Sequence, residues 1–141
     1  MTEPTRAVGY PDPIRHPHEI LLGATCKIVG ILGLVFPETI SPGLRSAFPG
    51  DLVKWWFVGL ILSGGLILFG IFTEGILGPL MERIGLGVSA AFFLAYIVAV
   101  LSNSGMRGLT ATTLPMAYTI ANVVRMFQIT SALRRWSRHE L

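Results

Sequence analysis

The feature that most constrains this chain is a run of eighteen uncharged residues, IGLGVSAAFFLAYIVAVL, from Ile84 to Leu101. A helix of that length crosses the hydrocarbon core of a bilayer. Small residues recur along it at every fourth position, on one side of the helix, where a neighbouring helix can approach closely. We therefore predict a membrane-spanning helix that packs against another helix through Gly87, Ala91, Ala95 and Ala99.

The composition extends this interpretation to the whole chain. Apolar residues make up 52% of the sequence and charged residues only 13%, with a mean hydropathy of +0.64. A soluble domain carries about 25% charged residues because its surface faces water. The alternative, a soluble helical bundle, is disfavoured because the chain has too few charged residues to cover its surface. The four apolar runs predict an all-α integral membrane protein, with four transmembrane helices packed as an antiparallel bundle.

The pattern of apolar runs, prolines and charges divides the chain into three parts. Residues 1–19 are predicted to form a disordered polar tail, 20–132 the transmembrane domain, and 133–141 a basic tail. Asp51 is placed to cap the second helix by accepting its free amide hydrogens. Glu74 and Glu82 fall at a membrane boundary beside Arg83, where solvated charges are expected, and they are also the counter-charges available to Lys27 and Arg125. The predicted helices cover about 20–36, 52–73, 80–102 and 108–132.

The first predicted helix combines small residues with a cation. Gly23, Cys26, Gly30 and Gly33 form a second small-residue stripe, and Lys27 lies on the same side. An ionisable residue within a span is by default a functional hypothesis. Two interpretations stay open for Lys27. Its long stem can carry the ammonium back to the nearer interface or into an ion pair, or the residue can serve a pore or relay.

The fourth predicted helix is the most polar and carries a stripe along one side. Hydroxyl and amide groups can form hydrogen bonds between membrane helices, each contributing on average about 0.6 kcal/mol. The stripe is therefore either a contact between helices or a surface that faces water in an assembled pore. Its members are Thr112, Pro115, Thr119, Asn122 and Arg125.

The distribution of cations predicts the orientation. With four spans, the side of both termini carries six Arg residues, and the other side carries three cations, Arg45, Lys54 and Arg107. Cytoplasmic loops are enriched in Lys and Arg, so both termini are expected in the cytoplasm. The same placement at span ends argues for membrane orientation rather than nucleic-acid binding.

Several kinds of chemistry lack their usual residues. The single Cys26 excludes an internal disulfide and a cysteine-based zinc site. His16 and His18 have no third ligand nearby, so no metal is expected. The serines of the spans have no histidine in a span to activate them, so the protein is not expected to be an enzyme, and no cofactor is implied.

Four stretches carry a resemblance of layout: HPHEILLG (16–23), KWWFVGLILSGG (54–65), LMERIGL (80–86) and RMFQITSALRRW (125–136). In these the chain resembles the small four-span membrane proteins of actinobacterial bacteriophages, which include holin-like lysis proteins. The resemblance implies a protein that self-associates in the bacterial inner membrane of an infected host and permeabilises it. The alternative is a non-lytic adaptor, for assembly or superinfection exclusion, that binds an unidentified membrane or cytoplasmic partner. A third hypothesis, a small transporter, is disfavoured because no carboxylate is expected at the midplane.

Overall fold

The computed structural model describes residues 17–36, 44–45, 48 and 50–139, with side chains to Arg135, and this part of the chain is helical without a strand. Residues 1–16 of the predicted tail (1–19) and most of the loop before Asp51 lie outside the described residues, and residues 17–19 belong to the first helix. A 3₁₀ turn, Gly105–Gly108, joins the last two helices. The helices are α1 (Pro17–Val35), α2 (Leu52–Phe72), α3 (Leu77–Ser104) and α4 (Leu109–His139).

The ends of the helices follow from local sequence. Proline opens α1 at Pro17, where the missing N–H would have no partner in any case. Gly105 ends α3 with a φ of +54°, in the left-handed region that favours glycine. Asp51 precedes α2, but the predicted side-chain cap is wrong. Its carboxylate instead accepts a hydrogen bond from Nζ of Lys54 at 2.8 Å.

Helices consecutive in the chain pack side by side and antiparallel. Gly23 of α1 lies against Gly64 of α2, and farther along α1, Gly30 lies against Phe57. In the same way α2 packs on α3 and α3 packs on α4. The last helix returns to the first through side chains, with an ion pair between Arg125 and Glu19 and a ring contact between His18 and Tyr118. The fourth helix therefore has one extensively packed neighbour, α3.

The core lies mostly between the first three helices. Trp56 is 8% exposed and donates its indole N–H to the carbonyl of Phe92 at 3.1 Å, which joins α2 to α3. Trp55, its neighbour, is 68% exposed, as expected of a ring at a membrane interface. The fully buried apolar side chains include Leu22, Phe57, Leu60, Ile67 and Leu86.

Within the residues that the structure describes, three helical segments are long and apolar enough to cross a membrane: Pro17–Val35, Leu52–Phe72 and Leu77–Arg135. The third, 59 residues long, contains α3 and the part of α4 up to Arg135. The all-helical prediction is confirmed, and the segments fit an integral membrane protein. Helix α4 continues through His139, so residues 133–139, predicted as a tail, extend the helix.

Candidate functional site

Arg125 of α4 lies between two carboxylates that come from different helices. Its Nε donates to Oε1 of Glu82 at 2.9 Å, and the same nitrogen lies 3.0 Å from Oε1 of Glu19. The three side chains are 14%, 3% and 8% exposed, respectively. We call Arg125, Glu82 and Glu19 the ion cluster. It ties three helices together near one end of the bundle.

The helices themselves favour the placement of these carboxylates. Glu19 is the third residue of α1 and Glu82 the sixth residue of α3, so both lie in the first two turns. The N-terminal end of a helix has a partial positive charge, which stabilises a carboxylate there. Gly70 of α2 makes room, because its backbone contacts that of Glu82 and leaves no space for a side chain. Charges buried at membrane depth are costly unless they are paired.

The ion cluster corrects one expectation. Glu82 was predicted to be a solvated charge, and this is wrong, because the residue is 2% exposed and bound to Arg125. Glu74, the other predicted boundary charge, is exposed. Sequence reasoning also missed Glu19, which falls one residue before the predicted first span. The sequence does offer Glu82 as a counter-charge for Arg125. The same argument, that a buried cation requires a carboxylate at its level, could have found Glu19.

A second polar contact lies deeper between α3 and α4. Nδ2 of Asn122 donates to Oγ of Ser89 at 2.9 Å, and that hydroxyl donates to the carbonyl of Leu86 at 3.0 Å. Ser89 is seven residues beyond Glu82, about 10 Å deeper along the helix. Both Asn122 and Ser89 are fully buried. Oδ1 of Asn122 has no hydrogen-bond partner among the described residues.

The remaining members of the α4 stripe bond within their own helix. Thr112, fully buried, donates to the carbonyls of Gly108 and Leu109. Thr119 is half-buried and donates to the carbonyl of Pro115 at 2.8 Å. These hydroxyls donate their hydrogen bonds to backbone carbonyls of the preceding turn, as Ser and Thr commonly do in apolar surroundings. The contacts between helices therefore come from Asn122 and Arg125.

Lys27 lies on the α1–α2 side, away from Arg125. Lys27 is half-buried, and the aliphatic part of its side chain passes close to Gly64 of α2. Its ammonium has no hydrogen bond or ion pair within the described residues. An ion pair therefore finds no support in this part of the chain. Extension to the interface and a role in a pore both stay predictions.

The two small-residue stripes lie in different surroundings. Gly23 and Gly30 are buried against α2, where an added Cβ would meet atoms of Gly64, Leu68, Phe57 or Ile61 within 3.2 Å. On α3, Gly87 is half-buried near Met126 of α4. Ala91 is exposed, and Ala91, Ala95 and Ala99 line a groove of about 600 Å³. Packing of this stripe as a whole against another helix stays a prediction.

No group of three or more His, Cys, Asp or Glu residues that could hold a metal occurs in the described ranges. The buried polar groups instead pair between helices, with charge on charge in the ion cluster and amide on hydroxyl between Asn122 and Ser89. Comparison of the chain with protein-family models, with curated proteins and with solved structures finds no match. Its function must therefore be inferred from the geometry of this chain.

Proposed function

We propose that the protein crosses the membrane four times, self-associates and permeabilises the bacterial inner membrane, as holin-like lysis proteins of phages do. The single observation that carries the proposal is the polar surface enclosed between α4 and its neighbours. Asn122 and Arg125 face Ser89, Glu82 and Glu19 within one chain. If α4 moved away from α3 in an assembly, this surface would be available to line a water-filled lesion.

The unpaired amide oxygen of Asn122 favours such a rearrangement. A buried acceptor without a donor costs about 1–3 kcal/mol, and Oδ1 of Asn122 is in that condition. Water would supply the missing donor. The ion cluster behaves similarly, because separating its charges costs much free energy in lipid and little in water. Separation of α3 from α4 therefore costs little free energy only where water enters. Because water would enter between the copies of an assembly, opening is coupled to assembly.

A crosslink across this contact tests the proposal. The variant Ser89→Cys/Asn122→Cys, with Cys26→Ala, should form a disulfide that holds α3 against α4. We expect proteoliposomes with the oxidised variant to retain a trapped dye and to release it after reduction, although less of it than with wild type because the variant lacks Asn122. The matched control keeps Cys26 and carries Ser63→Cys, since the Cys26 thiol contacts Ser63 between α1 and α2. That crosslink should leave dye release unchanged.

Two results would overturn the proposal. The first is equal leakage from the oxidised and reduced forms of the α3–α4 variant. The second is intact membranes in cells that express the wild-type chain at a high level, measured by dye entry. The second result would favour the adaptor. One observation supports that alternative, because the polar groups of α4 already have partners within one chain.

A further inference from the structure

The outer side of the α3–α4 pair carries a groove distinct from the ion cluster. It has a volume of about 380 Å³ and lies between the two helices. Gly87 provides space on α3, and the flexible side chain of Met126 forms the α4 wall. Five of the lining residues are uncharged and the sixth is an arginine. They are Leu80, Arg83, Ile84, Gly87, Val88 and Met126.

The charged residue of this groove is Arg83, and its surroundings differ from those of Arg125. Arg83 is half-buried and has no hydrogen bond or ion pair within the described residues. The carboxylate of Glu82, next in sequence, contacts Arg125 in the interior. Glu74, the next nearest carboxylate along the chain, is exposed. Arg83 is therefore a cation near the start of α3 that the described protein leaves available to an anion.

The dimensions of the groove match one leaflet of a bilayer. Leu80 and Val88 are eight residues apart, which is about 12 Å along a helix. One leaflet contributes about 15 Å of hydrocarbon. Leu80 is the fourth residue of α3, so the groove begins near the helix end and runs toward the membrane centre. The arginine stem leans toward the same helix end, where lipid phosphates lie.

We propose that this groove binds an anionic phospholipid, with an acyl chain along Ile84, Gly87 and Val88 and the headgroup phosphate on Arg83. Charge complementarity selects this occupant, because an unpaired guanidinium beside an apolar groove fits a molecule with an anionic head and an apolar tail. Basic pockets between transmembrane helices bind lipid headgroups in this way. The inference is independent of whether the protein permeabilises the membrane.

Native mass spectrometry of the full chain in mild detergent tests the site. The protein is titrated with phosphatidylglycerol, phosphatidylcholine and diacylglycerol, and bound copies are counted. We expect wild type to retain phosphatidylglycerol preferentially. Arg83→Gln should lower that preference about fivefold, which corresponds to about 1 kcal/mol for one cation near an anionic surface. Arg83→Lys should retain most of it. The matched control, Arg107→Gln, removes an exposed cation from the 3₁₀ turn and should leave the preference unchanged.

A second pair of variants tests the apolar part of the groove. Gly87→Leu fills it and should abolish retention of phosphatidylglycerol, whereas Gly65→Leu, where an added Cβ meets nothing within 4 Å, should have no effect. The proposal is overturned if Arg83→Gln and Arg107→Gln reduce binding equally, or if inorganic phosphate displaces the bound lipid. It is also overturned if Gly87→Leu changes the oligomeric state and leaves lipid retention intact, since a second copy would then occupy the groove.

Discussion

The α1–α2 and α3–α4 contacts join neighbouring helices by different means. Between α1 and α2 the backbones approach directly, and a Cβ added at Gly30 would lie 2.8 Å from the carbonyl oxygen of Phe57. Between α3 and α4 the contact includes the amide–hydroxyl pair of Asn122 and Ser89 and the pair of Arg125 and Glu82. The first contact depends on the absence of side chains, and the second depends on particular side chains.

This difference separates a part that should stay closed from a part that can open. In lipid there is no hydrophobic force between helices, so van der Waals contact between closely packed backbones supplies much of the attraction, and water cannot substitute for it. Polar pairs are different, because water can take the place of either partner. The α1–α2 pair therefore forms a fixed framework, and α4 is the helix whose contacts can be exchanged. Each prediction below changes one side of this comparison.

The largest effect is expected from Arg125→Met. The change removes the guanidinium that binds Glu82 and leaves a buried carboxylate without its donor. Breaking a buried ion pair in this way costs about 3–5 kcal/mol. We expect a loss of this size in the free energy of unfolding, measured by denaturant titration in detergent micelles.

The control for Arg125→Met removes all three charges together. The triple variant Glu19→Gln/Glu82→Gln/Arg125→Met contains no uncompensated charge, so it should recover most of the lost stability. If Arg125→Met alone unfolds like wild type, the ion cluster contributes nothing to the closed bundle. The α3–α4 contact would then depend on packing, as the α1–α2 contact does.

The next largest effect is expected from Gly30→Leu on the α1–α2 side. An added Cβ would lie 2.6 Å from Cγ1 of Ile61 and 2.8 Å from the carbonyl oxygen of Phe57, so the helices must separate. Overpacking of this kind costs typically about 1–3 kcal/mol. Gly65→Leu is the matched control, because its added Cβ meets open space. Equal unfolding curves for the two variants would contradict the view that α1 and α2 form the fixed framework.

The sequence predicted helices better than it predicted partners. Apolar runs and flanking prolines locate helices because they depend on local chemistry, and the polar stripe of α4 was visible from spacing alone. The position of Glu82 in the sequence favours solvent, and the sequence offers Glu74 and Glu82 equally as counter-charges for Arg125. Arg125 is brought to Glu82 only when α3 and α4 pack. Partners that are distant in the chain require the tertiary structure.

The α3 stripe illustrates a second limit. Helix α3 is apolar on all sides, so the spacing of Gly87, Ala91, Ala95 and Ala99 identifies a side but not its neighbour. Within one chain α3 buries Ala99 of this stripe, but its other buried small residues, including Gly85, Ser89 and Ala90, lie outside the stripe. The stripe around Ala91 borders a groove instead. Periodicity cannot distinguish a face for another helix from a face for lipid when both are apolar.

A smaller effect of opposite sign is expected from Asn122→Leu. The change removes one interhelical hydrogen bond, which contributes on average about 0.6 kcal/mol in membranes. It also removes the unpaired Oδ1, whose burial costs about 1–3 kcal/mol. We therefore expect the variant to be more stable by about 1 kcal/mol and to release less trapped dye. Ser89→Ala removes the acceptor of Nδ2 of Asn122 and leaves a second buried polar atom unpaired, so it should be less stable than wild type by about 1–3 kcal/mol. A less stable Asn122→Leu variant would show that the amide oxygen has a donor in the membrane.

The smallest effect is expected from Asp51→Asn. This variant compares the stability contributed by an exposed ion pair with that contributed by the buried pair of Arg125 and Glu82. Nζ of Lys54 lies 2.8 Å from Oδ1 of Asp51, but both side chains are largely exposed. The hydrogen bond from Lys54, and then its positive charge, lower the pKa of Asp51. A lowered pKa adds stability above the ordinary aspartate pKa of about 4, and this is lost as the pH falls through the lowered value. Because solvent screens exposed pairs, we expect Asp51→Asn and wild type to share the same melting midpoint at neutral pH. A clear loss at neutral pH would mean that charges at the end of α2 stabilise the fold as effectively as the ion cluster, and would remove the distinction between the two regions.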